Sequence, residues 1–101
     1  MRDFDLSPDA EEDIWSIWQY LAQEAGLSAA SRVQSTIFDK IGFLAKMPGM
    51  GHWRRDITDE PVKFFLVYSY LIVYRPEKKP LQVVAILHSS RDVAEILRDR
   101  L

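Results

Sequence analysis

The hydrophobic period of this chain changes once, at Met47-Pro48-Gly49. Before that point apolar residues recur every three or four positions, the spacing that gives a helix one buried face. After it they crowd into runs rich in β-branched and aromatic side chains, which suit strands. The switch divides the chain into a helical front and a strand-rich back, an α+β organisation. With 101 residues there is room for one core, so residues 1–101 read as a single domain.

Arg2 to Leu6 alternates polar and apolar residues and predicts a short leading strand. Ser7-Pro8-Asp9 then predicts a helix start. The Ser7 hydroxyl can accept from orphan N–H groups, and proline loses nothing at the first helical position. Ala10, Ile14, Ile17, Leu21 and Ala25 share one face of this helix, and Gly26 suits its end. Ser28 reads as the next N-cap, followed by a second stripe of Ala30, Val33, Ile37, Ile41 and Leu44. The short connection predicts an antiparallel helical hairpin. Trp15, Trp18 and Phe38 lie off the stripes, so the hairpin is expected to contact more than one surface.

In the back half, Trp53–Ile57 predicts a short strand. Val62–Tyr68, Tyr70–Arg75 and Leu81–His88 predict longer ones, paired antiparallel, with a turn at Pro76–Pro80. Ser89 with Asp92 has the spacing of a capping box opening a last helix, whose Val93, Ile96, Leu97 and Leu101 form an apolar side. The element order is β–αα–β(3–4)–α, a two-layer α+β domain with a mostly antiparallel sheet covered by the helical hairpin.

Several kinds of chemistry lack their residues. There is no cysteine, which excludes disulfides, thiol catalysis and iron–sulfur clusters and points to a reducing, cytoplasmic compartment. His52 and His88 are the only histidines and have no zinc spacing, so no metal and no cofactor is expected. Neither a Gly-x-Ser-x-Gly elbow nor a phosphate-cradling glycine loop occurs. The acidic N-terminus is unlike a signal peptide, and the longest uncharged apolar stretch, Phe64–Tyr74, is too short to span a bilayer. Residues 1–25 carry Arg2 against seven acids, a net of −6, so residues 26–101 net +4 for a total of −2. Asp9, Glu11, Glu12 and Asp13 fit an exposed helix start, where they complement the helix dipole. Lys40, Lys46, Arg54 and Arg55, with His52 and Trp53 among them, form an acid-free run that is either an anion-binding patch or a solvated loop. Arg91 has a possible i,i+4 partner in Glu95. No catalytic centre is evident, and the composition favours a protein that works by binding.

Four segments together resemble the RelE/ParE superfamily of bacterial toxins, and its ParE branch in particular. They are Ser7–Ile14, Leu44–His52, Tyr70–Arg75 and Ile86–Asp92, in the family's order and over nearly the whole chain. Family members more often have glycine where Ser89 stands, a departure that bears on loop geometry. The resemblance implies a sheet with the N-terminal strand beside the last one. It also implies the toxin half of a type II toxin–antitoxin pair, neutralised by a small ParD-like or other antitoxin whose C-terminal segment wraps it. ParE-branch members poison DNA gyrase; RelE-branch members cleave ribosome-bound messenger RNA.

RelE-like ribonucleases place an arginine where this chain has Leu71 and a tyrosine at about Leu97, while Arg91 keeps the ribonuclease-type residue. Aliphatic side chains neither donate, accept nor titrate, so the resemblance implies a gyrase inhibitor without catalytic residues. Antitoxin contacts are expected at Trp15, Trp18 and Phe38. Gyrase contacts are expected at Trp53, Arg54 and Arg55 in the basic loop and at Arg91, Arg98 and Arg100 near the C-terminus. DNA would be met only through antitoxin or gyrase. The alternatives are a RelE-type endoribonuclease using Arg54, Arg55 and Arg91, and an inactive homologue that only binds antitoxin.

Overall fold

Ser7 and Pro8 start the first helix as their chemistry dictates. The Ser7 hydroxyl accepts the Ala10 N–H at 3.1 Å, and Pro8 occupies the first turn. The structure, a computed structural model, describes residues 3–101, so Arg2 of the expected leading strand lies outside the described residues. In chain order the elements are β1 (Phe4–Leu6), α1 (Pro8–Ala25), α2 (Leu27–Lys46), a 3-10 turn at Pro48–Met50, β2 (Lys63–Val67), β3 (Tyr70–Arg75), β4 (Leu81–His88) and α3 (Val93–Arg100).

Among the described residues four strands form one sheet in the order β1-β4-β3-β2. β1 runs parallel to β4, with Phe4 opposite Leu81 and Leu6 opposite Val83. The β2–β3 and β3–β4 pairs are antiparallel. The α+β class, the element order and the place of the N-terminal strand beside the last are all as expected.

The hairpin turns on one residue. Gly26 has φ 94° and ψ 165°, a region essentially reserved for glycine, and it both ends α1 and begins α2. Ser28 therefore lies inside α2 rather than capping it, and α2 starts without a side-chain cap. Ile14, Ile37, Ile41 and Leu44 pack with Ile72, Tyr74, Val83 and Ile86 on one face of the sheet. On the other face Val93 and Leu97 of α3 pack with Phe64, Leu71, Val73 and Leu87. Covered on both sides, β3 is buried from Tyr70 through Tyr74.

Two further local expectations change. Residues 53–57 form no strand. His52 alone bridges to Phe64, with both backbone hydrogen bonds at 2.8 Å. The chain then turns, the Ile57 and Thr58 N–H groups donating to the Arg54 carbonyl at 2.9 and 3.0 Å. The Arg54 guanidinium grips Asp56 at 2.8–2.9 Å, a local bond that competes with extended pairing. At the other end, Asp92 is the cap of α3, its carboxylate accepting the Glu95 N–H at 3.1 Å. Ser89 instead donates its N–H to the Ser69 carbonyl at 2.7 Å, prolonging the β3–β4 ladder by one rung.

Tyr74 fastens the loop after α2 to the sheet. Its hydroxyl donates to the Pro48 carbonyl at 2.7 Å and accepts the Gly51 N–H at 2.9 Å. A Cβ on Gly51 would overlap the Tyr74 ring and hydroxyl, so this approach requires glycine. Among the described residues no helix is long and apolar enough to cross a membrane.

Candidate functional site

β1 stops at Leu6, so beyond Val83 the edge of β4 has no neighbouring strand. Asp13 of α1 takes the place of that partner. Its buried carboxylate accepts the Ile86 N–H at 3.0 Å and two Arg100 bonds at 2.6 and 2.8 Å. Arg100 also donates to the Val84 carbonyl at 3.3 Å and lies 3.9 Å from Asp9. α1 and α3, which cover opposite faces, are thereby tied across the sheet edge. The Asp13 hydrogen bond holds the Arg100 guanidinium above its ordinary pKa, partly opposed by burial and assisted by the charges of Asp13 and Asp9.

Beside this tie, α1, α2, the β2–β3 turn and the end of β4 enclose a groove of about 780 Å³. Ile17, Leu21, Val33 and Ile86 supply its apolar wall, and Tyr20, Tyr68 and Tyr70 ring it. Tyr68 has φ 55° in a two-residue hairpin turn, a conformation usually left to glycine or asparagine, and it is 57% exposed. Burial, and secondarily Tyr20, push the Tyr70 hydroxyl pKa up. At one end stand His88 and Arg91. The His88 ring meets Tyr70 edge-on, centroids 5.4 Å apart, and its Nδ1 accepts the Ser90 N–H at 3.1 Å with the Ser90 hydroxyl at 2.7 Å.

A second groove of about 490 Å³ lies on the α3 side of the sheet. His52, Arg54 and Arg91 stand at its rim over Phe64, Leu66 and Leu71. Leu97 is buried in the core of the same face. Arg91 borders both grooves.

The residues expected to bind partners are therefore sorted by the fold. Arg54 and Arg91 converge on the second groove. Arg55 does not: it lies over the Trp53 ring at 4.9 Å, as does Lys63, and donates to the Asp59 carbonyl. Arg98 is exposed on α3, whereas Arg100 is engaged with Asp13 and only 17% exposed, so it is no free cation for a target. Asp13 in turn is no exposed first-turn charge. Arg91 precedes the cap of α3 and makes no pair with Glu95. Trp15 and Trp18 stack on one another, rings 5.8 Å apart and nearly parallel, outside both grooves. Phe38 packs against Phe4 and the hairpin-side core. The groove aromatics Tyr20, Tyr68 and Tyr70 were not among the site residues expected from the sequence, Tyr68 and Tyr70 being read there only as strand residues. Tyr20, off the α1 stripe, carried the same signal as the tryptophans. Among the described residues no cluster of histidines and acids could hold a metal ion.

A family model described as "ParE toxin of type II toxin-antitoxin system, parDE" matches residues 4–93. The chain belongs to the ParE toxin family. The match runs from β1 to the first residue of α3, so every residue bordering the hairpin-side groove lies within it, while Arg98 and Arg100 lie beyond. Among solved structures, a chain from "Chromosomal ParDE TA system from P. aeruginosa" is similar with a TM-score of 0.71 and 18% identity. The similarity covers 87% of this ParE toxin and 96% of that chain, and at this identity it is a likeness of fold. No curated protein matches the sequence.

Proposed function

We propose that this ParE toxin arrests growth by binding DNA gyrase, without turnover of its own, and that a small antitoxin neutralises it from the hairpin face. The observation that carries the reading is Leu71, nearly buried, lining the same groove as Arg54 and Arg91. Cleavage of RNA by its 2′-hydroxyl needs proton transfer as well as charge, and proton transfer contributes about 10²–10⁴-fold. Leu71 supplies neither, and Leu97 is buried in the same core. An apolar floor under cationic rims suits a protein surface instead. Arg54 and Arg91 are the best-placed target contacts, with Trp53, Arg55 and exposed Arg98 around them.

The antitoxin reading draws on the family and on the aromatic groove. Its apolar wall suits a helix or extended segment, and the Trp15–Trp18 stack on α1, outside the groove, offers a separate aromatic contact. Purified gyrase decides the first part. The toxin should inhibit supercoiling and raise cleaved complexes in proportion to its concentration. A folded toxin that binds its antitoxin yet leaves gyrase untouched at micromolar excess would overturn the gyrase reading and favour a homologue that only binds antitoxin. His52 beside Arg54 and Arg91 favours one further reading, a RelE-type ribonuclease, because an imidazole can move protons. Ribosome-dependent messenger fragments that vanish in His52→Ala would establish that reading in place of the first.

A further inference from the structure

We propose that the His88–Arg91 end of the hairpin-side groove is a carboxylate site, so that the antitoxin segment seated there carries an aspartate or glutamate among apolar side chains. The occupant rests on reading this groove as the antitoxin's seat; the site itself rests on His88.

A backbone N–H can only donate. Since the Ser90 N–H points at His88 Nδ1 at 3.1 Å, Nδ1 must offer its lone pair and the ring proton sits on Nε2. The Ser90 hydroxyl, 2.7 Å from the same nitrogen, completes the same arrangement by donating. Tyr70 against the ring fixes its plane. The groove is thus bordered by an imidazole whose free function is a single oriented N–H donor. The Arg91 guanidinium, on the same border, has no hydrogen-bond or ion-pair partner among the described residues, while the Arg91 N–H donates to the His88 carbonyl at 3.0 Å. An N–H and a guanidinium bordering one groove, from residues three apart in a turn, can together serve the two oxygens of a carboxylate.

Charge complementarity names the ligand. The one acid bordering the groove, Asp13, already has both oxygens bonded, to Arg100 and to the Ile86 N–H, and so leaves the cation at the other end unanswered. Away from that end the wall is Ile17, Leu21, Val33 and Tyr68. Such a wall suits aliphatic and aromatic side chains and does not suit a nucleic-acid backbone, which requires a row of cations. The best fit is a peptide segment with one acid and an apolar body.

The intact toxin can be tested without its antitoxin. Imidazole ¹⁵N spectra of the free protein should show His88 with its proton on Nε2. Titration with phenylbutyrate at millimolar concentration should shift the amides of Ile17, Val33, Tyr68 and Ser90. The uncharged phenylbutyramide should bind roughly tenfold more weakly, as expected when a charge-assisted hydrogen bond is lost. Arg91→Gln, an exposed change that leaves the fold alone, should abolish the difference between the two probes. A proton on Nδ1, equal binding of acid and amide, shifts confined to Arg54 and Leu66 in the other groove, or no binding would each overturn the site. Failure to inhibit gyrase would overturn the proposed function and leave these outcomes unaffected.

Discussion

Tyr74 and Asp13 show how single polar groups hold this sheet between its layers. The Tyr74 hydroxyl has two backbone partners in the loop that follows α2, and burial, opposed by the Gly51 hydrogen bond, raises its pKa. Tyr74→Phe strands a Gly51 N–H that is buried, so it should cost about 1–3 kcal/mol in denaturant unfolding. The raised pKa also fixes a sign. The neutral phenol is favoured in the fold, so stability is fully present below the unfolded tyrosine pKa of about 10 and falls as pH rises through the higher folded value. Alkaline unfolding curves should be shallower in Tyr74→Phe than in the parent, with Tyr70, also raised, supplying the remainder. Asp13→Asn tests the tie across the edge of β4. Arg100 would lose its nearer counter-charge while remaining mostly buried, at a cost of roughly 1–3 kcal/mol, below that of a wholly buried pair because Arg100 keeps some water and Asp9 at 3.9 Å. Thermal melting checks it, and salt should narrow the gap. Neither role was legible in the sequence. Asp13 reads as one more acid in a helix's first turn, and its partner lies 87 residues away. Tyr74 reads as one more strand aromatic until the loop closes on its hydroxyl.

At the scale of elements the sequence was far more informative, because period and punctuation are local properties. The stripes of α1 and α2, the β-branched runs of β3 and β4, and proline with glycine after Lys46 needed no tertiary knowledge. What failed were the caps. Ser28 and Ser89 have the side chain for a cap, but glycine makes the hairpin turn at one position and a ladder hydrogen bond claims the backbone at the other. Trp53–Ile57 has strand-like residues, yet the Arg54–Asp56 pair and the carbonyl of Arg54 turn it back on itself. Gly26 carries the sharpest prediction here. No atom lies within 4 Å of a Cβ built on it, so Gly26→Ala would suffer from backbone strain alone. A cost of roughly 1–3 kcal/mol is expected from denaturant midpoints, with the parent's helix content retained in circular dichroism once folded. A change near zero would mean that the hairpin turns differently from the geometry described.

The whole molecule presents two grooved faces separated by one sheet, and this division was only half readable. The off-stripe aromatics and the basic loop stood out as candidates in the sequence; which of them share a surface depends on sheet order and on α3 lying opposite the hairpin. Arg54 and Arg55 are neighbours in sequence but lie in different places, one lining the second groove and the other over Trp53. The separation leads to a double dissociation. Arg54→Glu with Arg55→Glu gives up the exposed Arg54–Asp56 pair and the Arg55 bond to the Asp59 carbonyl, so stability should fall by about 1 kcal/mol or less for each, without unfolding the domain. That variant should lose most gyrase inhibition and growth arrest while still binding antitoxin. Tyr20→Ala with Tyr68→Ala should do the reverse, keeping inhibition of gyrase and weakening neutralisation, since truncating an aromatic anchor can cost about 2 kcal/mol or more. Supercoiling assays, with and without antitoxin, read both effects in one experiment. Arg91→Glu, at the border of both grooves, should impair the two activities together. If the loop reversal and the tyrosine pair instead impaired the same activity, the two grooves would act as one site and target and antitoxin would compete for it directly.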